Sequence, residues 1–195
     1  CPPKAIDAGF HIDFMIHFGP EGFRDLFLRE NCFFSRDGKG DASRFIEELT
    51  GNLAHIGDRG FVAVPTANHD MSRIRGRRSL AELRLTHTFL MLLPGVPFVY
   101  YGDEIGMANV AGLGNKEGSY SRSECRTPMQ WAPGAKAGFS TAEPEKFYLP
   151  LDPDPGRPDV ETQEKDPESL LAFTRKLIAL RRANAALRSR GGFRC

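Results

Sequence analysis

The chain has 195 residues, of which 41% are hydrophobic and 26% are charged, so it can bury a sizeable core and is not a disordered tail. Its length fits one domain, or one domain with an extension. The 26 Lys and Arg residues against 25 Asp and Glu residues leave a formal net charge of +1. This balance gives no reason to expect nucleic acid or an anionic membrane as a partner.

Local features exclude two further classes. The longest nearly uncharged stretch runs from Phe89 to Tyr101 and is interrupted by Pro94 and Gly95, whereas a transmembrane helix needs about 20 apolar residues. The 4 cysteines form no C-x-x-C pair, so neither a structural zinc site nor a disulfide scaffold is expected. Because the chain does not begin with Met, we expect it to be cut from something longer. The compartment stays open, with a cytoplasmic one favoured.

Three segments predict strands. Residues 11–17 alternate between polar and apolar side chains, which is typical of a strand with one apolar face. Residues 61–67 form a short β-branched run that contains a proline. Residues 96–101 are apolar on both faces, which predicts a strand that is covered on both sides.

Three helices are predicted around these strands. The first is capped by Asp41 and stopped by Gly57. The second opens with a capping box from Ser79 to Glu82 and ends at Pro94-Gly95. The third begins at Asp166-Pro167, an N-cap followed by proline at the first helical position. The stripe predicted for the buried side of the second helix comprises Leu80, Leu83, His87, Leu90 and Leu93.

The alternation of strands and helices argues for parallel βαβ units and therefore for an α/β fold. The stretch at about 103–165 is different, because Gly, Pro, Ser and charged residues dominate it and periodicity is weak. A structureless loop of that length is uncommon in a compact domain and is usually functional or an insertion.

The tripeptide Asn68-His69-Asp70 directly follows the second predicted strand. Reacting groups usually gather at the carboxyl ends of strands in parallel α/β sheets and barrels. A carboxylate beside an imidazole and an amide can bind hydroxyls or stabilise developing positive charge. The alternative is a simple Asx-type turn between strand and loop.

The wider context resembles a known family. Residues 64–73, VPTANHDMSR, are similar to the fourth signature region of the α-amylase superfamily, glycoside hydrolase family 13. Further motifs follow in the family's order. Residues 93–107 resemble its eighth barrel strand and the turn after it, and residues 126–131 and 137–140 resemble a loop of its α-glucosidase and trehalose-synthase branches. Residues 166–171 and 176–181 resemble its last barrel helix. The resemblance covers roughly residues 8–190.

This resemblance implies a (β/α)8 TIM barrel that cleaves or transfers α-glucosidic bonds with retention of configuration. Such chemistry needs a nucleophile and an acid/base about 5 Å apart; in the family these are an Asp ending strand four and a Glu ending strand five. By position, Asp70 is the third catalytic carboxylate, which binds the 2- and 3-hydroxyls of the sugar, and His69 is the neighbouring hydroxyl binder. Asn68 belongs to the same substrate-binding motif, Arg126 is either a sugar contact or a structural residue, and Arg73 is a further candidate contact.

The chain departs from the family because only strands six to eight are recognisable and strands one to five are missing. The segment Gly22-Phe23-Arg24-Asp25 imitates the nucleophile motif, but no apolar strand precedes it, so we reject it. The chain then holds neither nucleophile nor acid/base and would need the missing barrel half. We expect residues 1–190 to be the C-terminal portion of the catalytic barrel and residues 191–195 to start the link to a β-domain.

Other clusters favour structural interpretations. His11 and His17 are too far apart on a strand to share a metal ion, and no metal or other cofactor is expected. The arginines of residues 73–78 predict a solvated or substrate-facing loop, and Asp103-Glu104 a structural turn. Trp131 and Tyr120 could stack on sugar rings, although burial is the commoner fate of a lone Trp.

The sequence therefore predicts part of an α-glucosidase-like hydrolase of short α-glucans, with an α-glucan or oligosaccharide as substrate and no nucleic acid or membrane as partner. A transglycosylating relative such as trehalose synthase, an isomerase, is the first alternative. A non-catalytic carbohydrate-binding or structural module is the second.

Overall fold

A computed structural model describes residues 14–16, 21–29, 31–39, 41–116 and 122–191. The strands are β1 (Phe14–Ile16), β2 (Phe61–Pro65) and β3 (Val96–Phe98). The helices are α1 (Glu21–Phe27), α2 (Ser43–Ile56), α3 (Leu80–Leu92), α4 (Val160–Glu164) and α5 (Leu170–Ala183). No helix in these ranges is long and apolar enough to cross a membrane.

The chain forms two compact units. The first unit comprises Cys1–Thr66, Leu85–Phe98 and Leu177–Cys195, and the second comprises Ala67–Arg84 and Val99–Lys176. The first unit holds the three described strands, and the second holds the irregular stretch of residues 103–165, whose described part contains α4 and three short 3-10 turns. Between residues 103 and 165, the described backbone is mostly irregular, in line with the weak periodicity of this stretch.

The sheet of the first unit is parallel, in the order β1-β2-β3, which confirms the prediction of parallel strands. β2 is buried from Val62 to Pro65 and ends before residue 67. The prediction that the third strand is covered on both sides is wrong, because Phe98 is 39% exposed. Among the described strands, β3 pairs with β2 alone, and its residues 96–98 lie opposite Ala63–Pro65. Of the first predicted strand, only residues 14–16 lie within the described residues.

Side chains close in sequence form hydrogen bonds with the backbone at the starts of two helices. The capping box is confirmed: the Ser79 backbone N–H donates to Glu82 Oε2 at 2.6 Å, and the Glu82 N–H donates to Ser79 Oγ at 3.3 Å. α2 stops at Gly57, with φ of +52°, as predicted. It begins at Ser43, however, and the Asp41 carboxylate accepts from the Ser43 N–H at 2.8 Å. This bond lowers the pKa of Asp41.

Two helix predictions are wrong in detail. α5 begins at Leu170 rather than at Pro167, and Ser169 Oγ accepts from the Ala172 N–H at 3.1 Å, so serine supplies the cap. On α3, Leu80 is 55% exposed and does not belong to the buried stripe, whereas the other predicted positions are buried: Leu83, His87, Leu90 and Leu93.

The segment that imitates the nucleophile motif lies on a helix, not at the end of a strand. A Cβ at Gly22 would lie 2.6 Å from the backbone nitrogen of Phe45, so glycine is required for the close approach of α1 to α2. Phe23 stands beside Phe27 and Phe45 in the aromatic core, with ring centroids at 4.9 and 6.4 Å. Packing therefore accounts for this segment without any catalytic role.

Arg181 of α5 closes the C-terminal end of α3 within the first unit. Its Nη1 donates to the carbonyl oxygens of Met91 and Leu93, both at 2.7 Å, and its Nη2 donates to Gly95 O at 2.5 Å. The last carbonyls of a helix have no partner within the helix, so one guanidinium satisfies groups that would otherwise need water.

We expect Arg181→Ala to lower the free energy of unfolding by about 2–3 kcal/mol, because charged hydrogen bonds to partly buried carbonyls are lost together. The neighbouring Arg182→Ala is the control and should change it by less than about 0.5 kcal/mol. Urea denaturation followed by circular dichroism measures both. Equal effects of the two variants would contradict the capping role.

Candidate functional site

The loop that follows β2 is shaped by an Asx turn. Asn68 Oδ1 accepts a hydrogen bond from the Asp70 N–H at 2.7 Å, and the Met71 N–H donates to Asn68 O at 3.2 Å. The side chain of Asn68 is therefore used inside the loop. The turn interpretation and the site interpretation are compatible, because this turn presents the side chains of His69 and Asp70 to solvent.

Two arginines bind the carboxylate of Asp70. Arg122 Nη1 donates to Asp70 Oδ1 at 2.7 Å, and Arg126 Nη2 donates to the same oxygen at 3.2 Å. The other carboxylate oxygen, Oδ2, lies 3.5 Å from His69 Nε2. The Asp70 side chain is 39% exposed, so a solute can reach it. A carboxylate held in this way can accept hydrogen bonds from the hydroxyl groups of a sugar.

Arg126 is fixed at both ends of its guanidinium. Its Nε donates to His69 O at 2.8 Å while its Nη2 reaches Asp70. This arrangement ties the loop of residues 68–71 to the short helical turn Arg122–Cys125 that precedes Arg126. The structure thus brings Arg126, His69 and Asp70 together.

Arg122 is the site residue that the sequence analysis missed. It lies four positions before Arg126, and one helical turn separates them. The compact 3-10 turn keeps the two residues close in space, and both guanidinium groups reach the same carboxylate oxygen. The spacing was visible in the sequence, but nothing in it showed that residues 122–125 form a turn.

Arg73 is not part of the exposed site. Its side chain and that of Asp103 are both 0% exposed, and Arg73 Nη1 lies 3.5 Å from Asp103 Oδ1. Nη1 also donates to Tyr101 O, and the guanidinium lies over the rings of Tyr100 and Tyr101 at 4.9 and 4.7 Å. The prediction of a solvated arginine loop is wrong for Arg73 and for Arg78, which are both buried. Burial favours a positioning role for Arg73 over a sugar contact.

The turn that holds Asp103 is framed by glycine. Gly102 has φ of +84° and Gly106 has φ of +78°, a region that L residues rarely adopt. The buried Asp103–Arg73 pair agrees with the prediction that Asp103-Glu104 is a structural turn. Glu104 follows it, and burial raises the pKa of its carboxyl group, with Arg73 acting more weakly in the opposite direction. Within the described residues, Glu104 Oε2 is buried without a hydrogen-bond partner.

A pocket of about 470 Å³ lies in the second unit. Aromatic and apolar side chains dominate its lining, which comprises Tyr101, Glu104, Arg126, Thr127, Pro128, Met129, Trp131, Phe139, Tyr148 and Leu149. The expectation that the lone Trp is buried is wrong, because Trp131 is 51% exposed. Tyr120, His11 and His17 lie outside the described residues. Among the residues that are described, no group of three or more His, Cys, Asp or Glu side chains could hold a metal ion.

The chain is similar to one family model and to several curated proteins. The family model described as "Alpha amylase, catalytic domain" matches residues 38–190. A trehalose synthase/amylase of Mycobacterium tuberculosis is 45% identical over 109 residues, which cover 54% of this chain and 17% of that protein. Maltase A2 of Drosophila melanogaster is 36% identical over 128 residues, covering 65% of this chain and 22% of that protein.

The chain is also similar to solved structures. A mutant of a trehalulose synthase, in complex with the substrate sucrose, superposes with a TM-score of 0.66 at 26% identity, covering 77% of this chain and 33% of that chain. The present chain therefore spans about one fifth of the length of the curated relatives and one third of the length of the solved structure.

Proposed function

We propose that this chain, which belongs to the α-amylase catalytic-domain family, carries the sugar-binding aspartate of a retaining enzyme. That enzyme acts on the α-glucosidic bonds of short α-glucans. The observation that carries the proposal is the exposed carboxylate of Asp70, held by Arg122 and Arg126 within the matched region. The similar trehalose synthases and maltase support the branch of the family.

In this proposal, β1, β2 and β3 are strands six to eight of a (β/α)8 barrel. The parallel order β1-β2-β3 supports it, because consecutive barrel strands are parallel neighbours. Residues 1–190 then belong to the barrel, residues 103–165 to the loop after its last strand, and residues 191–195 to the link toward a β-domain. Asp70 comes five residues after the end of β2, where barrel enzymes place reacting groups.

The chemistry proposed for Asp70 is differential binding of the sugar. Its carboxylate accepts hydrogen bonds from two adjacent hydroxyls, and His69 donates to a neighbouring one. These bonds accelerate cleavage only as far as they tighten when the ring flattens and positive charge develops. Arg122 and Arg126 hold the carboxylate in one orientation through their hydrogen bonds to Oδ1. The nucleophile and the acid/base, which retention of configuration requires, are not recognisable in this chain.

Hydrolysis and group transfer share the covalent intermediate, so the carboxylate chemistry alone does not separate them. We propose α-glucosidase-like hydrolysis, supported by the similarity to Maltase A2. The alternative is an isomerase that transfers the glucosyl group to a sugar, and the 45% identity to a trehalose synthase/amylase favours it. With maltose as substrate, a hydrolase releases glucose and a trehalose synthase forms trehalose.

The purified 195-residue chain is expected to hydrolyse no 4-nitrophenyl α-D-glucoside, because it lacks both reacting carboxyl groups. Release of 4-nitrophenol measures this. Turnover above the blank that disappears in Asp70→Asn would contradict it. The reading frame upstream of Cys1 is the second test: we expect it to encode five more strands, and the protein expressed from it to be active. A start codon just before Cys1 would instead favour a non-catalytic module.

A further inference from the structure

The orientation of Arg126 depends on how its main chain is held, because the residue lies where the backbone leaves the short turn Arg122–Cys125. On the amino-terminal side, the Arg126 N–H donates to Ser123 O at 3.1 Å. On the carboxyl-terminal side, the Tyr101 hydroxyl donates to Thr127 O at 2.8 Å. The main chain of Arg126 is therefore held on one side by a local turn and on the other by a side chain from another part of the sequence.

The hydrogen bond from Tyr101 satisfies a buried carbonyl. Thr127 is 1% exposed, and a buried carbonyl that loses its partner is unfavourable. Among the described residues, Thr127 Oγ1 has no hydrogen-bond partner, so the threonine hydroxyl does not help to hold this position. Residues 126–131 are irregular backbone, without the repeated hydrogen bonds of a helix or a strand. The Tyr101 hydroxyl is therefore the group that fixes the path of the chain directly after Arg126.

Tyr101 is itself anchored in a buried network. Its backbone carbonyl accepts from Arg73 Nη1, and the centroid of its ring lies 4.7 Å from Arg73 Cζ. The Arg73 side chain is fully buried beside Asp103, and the Arg73 N–H donates to Asn109 Oδ1 at 3.0 Å. A side chain that packing and hydrogen bonds lock in place can hold a neighbouring functional group precisely. Tyr101 meets this requirement.

These contacts join three segments of the second unit in a closed circuit. Arg73 lies three residues after Asp70 and contacts Tyr101. Tyr101 binds Thr127, and the adjacent Arg126 returns to Asp70 Oδ1 at 3.2 Å. We infer that Tyr101 is a positioning residue, which holds the main chain of Arg126 so that its guanidinium reaches the Asp70 carboxylate. The effect on the reaction rests on the proposed function of Asp70.

A spectroscopic test needs no enzymatic activity. Arg126 Nε donates to His69 O at 2.8 Å, so the Arg126 Hε proton should exchange slowly with water. In the ¹⁵N-labelled chain, Tyr101→Phe should raise this exchange rate by about three- to tenfold, as expected for the loss of one hydrogen bond. Arg126→Lys identifies the signal by its absence. Thr141→Ala, which removes the hydroxyl of an exposed residue in the same unit, is the control and should leave the rate unchanged.

A double-mutant cycle in the protein expressed from the longer reading frame tests the effect on the reaction. Tyr101→Phe is expected to lower kcat for maltose by about three- to tenfold with little change in KM, because a displaced Arg126 weakens bonds that tighten in the transition state. In the Arg126→Ala background, the same substitution should change kcat by less than about twofold, since the group that it positions is already gone. Thr141→Ala should change neither constant.

The outcomes separate this inference from the proposed function. An unchanged Arg126 exchange rate in Tyr101→Phe would overturn the positioning role, whatever the kinetics. Losses of kcat that add in full would overturn it as well, because Tyr101 would then act independently of Arg126, as a direct substrate contact does. Faster exchange, combined with full activity of Asp70→Asn, would leave the positioning role standing and remove the proposed function of Asp70. If the isolated chain is unfolded, the Hε signal is measured in the longer protein.

Discussion

Arg73→Ala is expected to lower the free energy of unfolding by about 3–5 kcal/mol, because it removes the cation that faces a fully buried carboxylate. The Asp103 side chain is 0% exposed and lies 3.5 Å from the Arg73 guanidinium. The substitution also removes the bond to Tyr101 O and the contacts with the rings of Tyr100 and Tyr101. Urea denaturation, followed by tryptophan fluorescence and by circular dichroism, measures the change.

Two further variants test whether the loss of stability comes from the buried Arg73–Asp103 pair. Arg182→Ala removes an exposed arginine of the first unit and should cost less than about 0.5 kcal/mol. The double variant Arg73→Met with Asp103→Leu removes both charges and should cost less than Arg73→Ala alone, since buried ion pairs are often replaceable by apolar groups of similar volume. A loss below about 1 kcal/mol for Arg73→Ala would show that the buried pair does not hold this turn.

Asp70→Asn is expected to lower kcat/KM by about 10²- to 10³-fold in the protein expressed from the longer reading frame, the loss typical of removing one preorganised stabilising group. Asparagine keeps the shape of the side chain but removes its negative charge. Because the bonds to the sugar tighten in the transition state, most of the loss should appear in kcat rather than in KM. Initial rates with maltose, at several substrate concentrations, separate the two constants.

The control for this prediction is Asp37→Asn, which neutralises an exposed carboxylate of the first unit and should leave kcat/KM unchanged. Arg122→Ala adds a second test, because it removes the shorter of the two bonds to the Asp70 carboxylate. A loss of less than threefold for Asp70→Asn would exclude a direct role for this carboxylate in catalysis.

Several features of the fold were predictable because the groups concerned are close in sequence. The capping box needs only Ser79 and Glu82, and the stop of α2 needs only a glycine that accepts positive φ at residue 57. The middle strand was recognisable from its β-branched residues, although its end at Pro65 was placed two residues too late. Asp166 and Ser169 can both cap the start of α5, and the sequence did not show which of the two does so.

The candidate site was predictable in part. The motif at residues 68–70 and Arg126 identified one face of the site, and the structure brings His69, Asp70 and Arg126 together. Arg122 was missed, since its contact with Asp70 spans 52 residues and depends on a short turn with no periodic signal. The pocket of about 470 Å³ was not predictable either, because its aromatic side chains come from an irregular stretch where neither period two nor period 3.6 applies.

For this protein, the order of residues was enough to specify the capping box of α3, the end of α2, the parallel strands and the family motif around Asp70, because each depends on neighbours within a few positions or on a short pattern. Tertiary structure decided which charges are buried and which aromatic side chains are exposed. Arg73 and Trp131 both run against their ordinary preferences, since the free energy of a side chain depends on what surrounds it: Arg73 is enclosed by Asp103 and two tyrosine rings, and Trp131 lies in an open pocket.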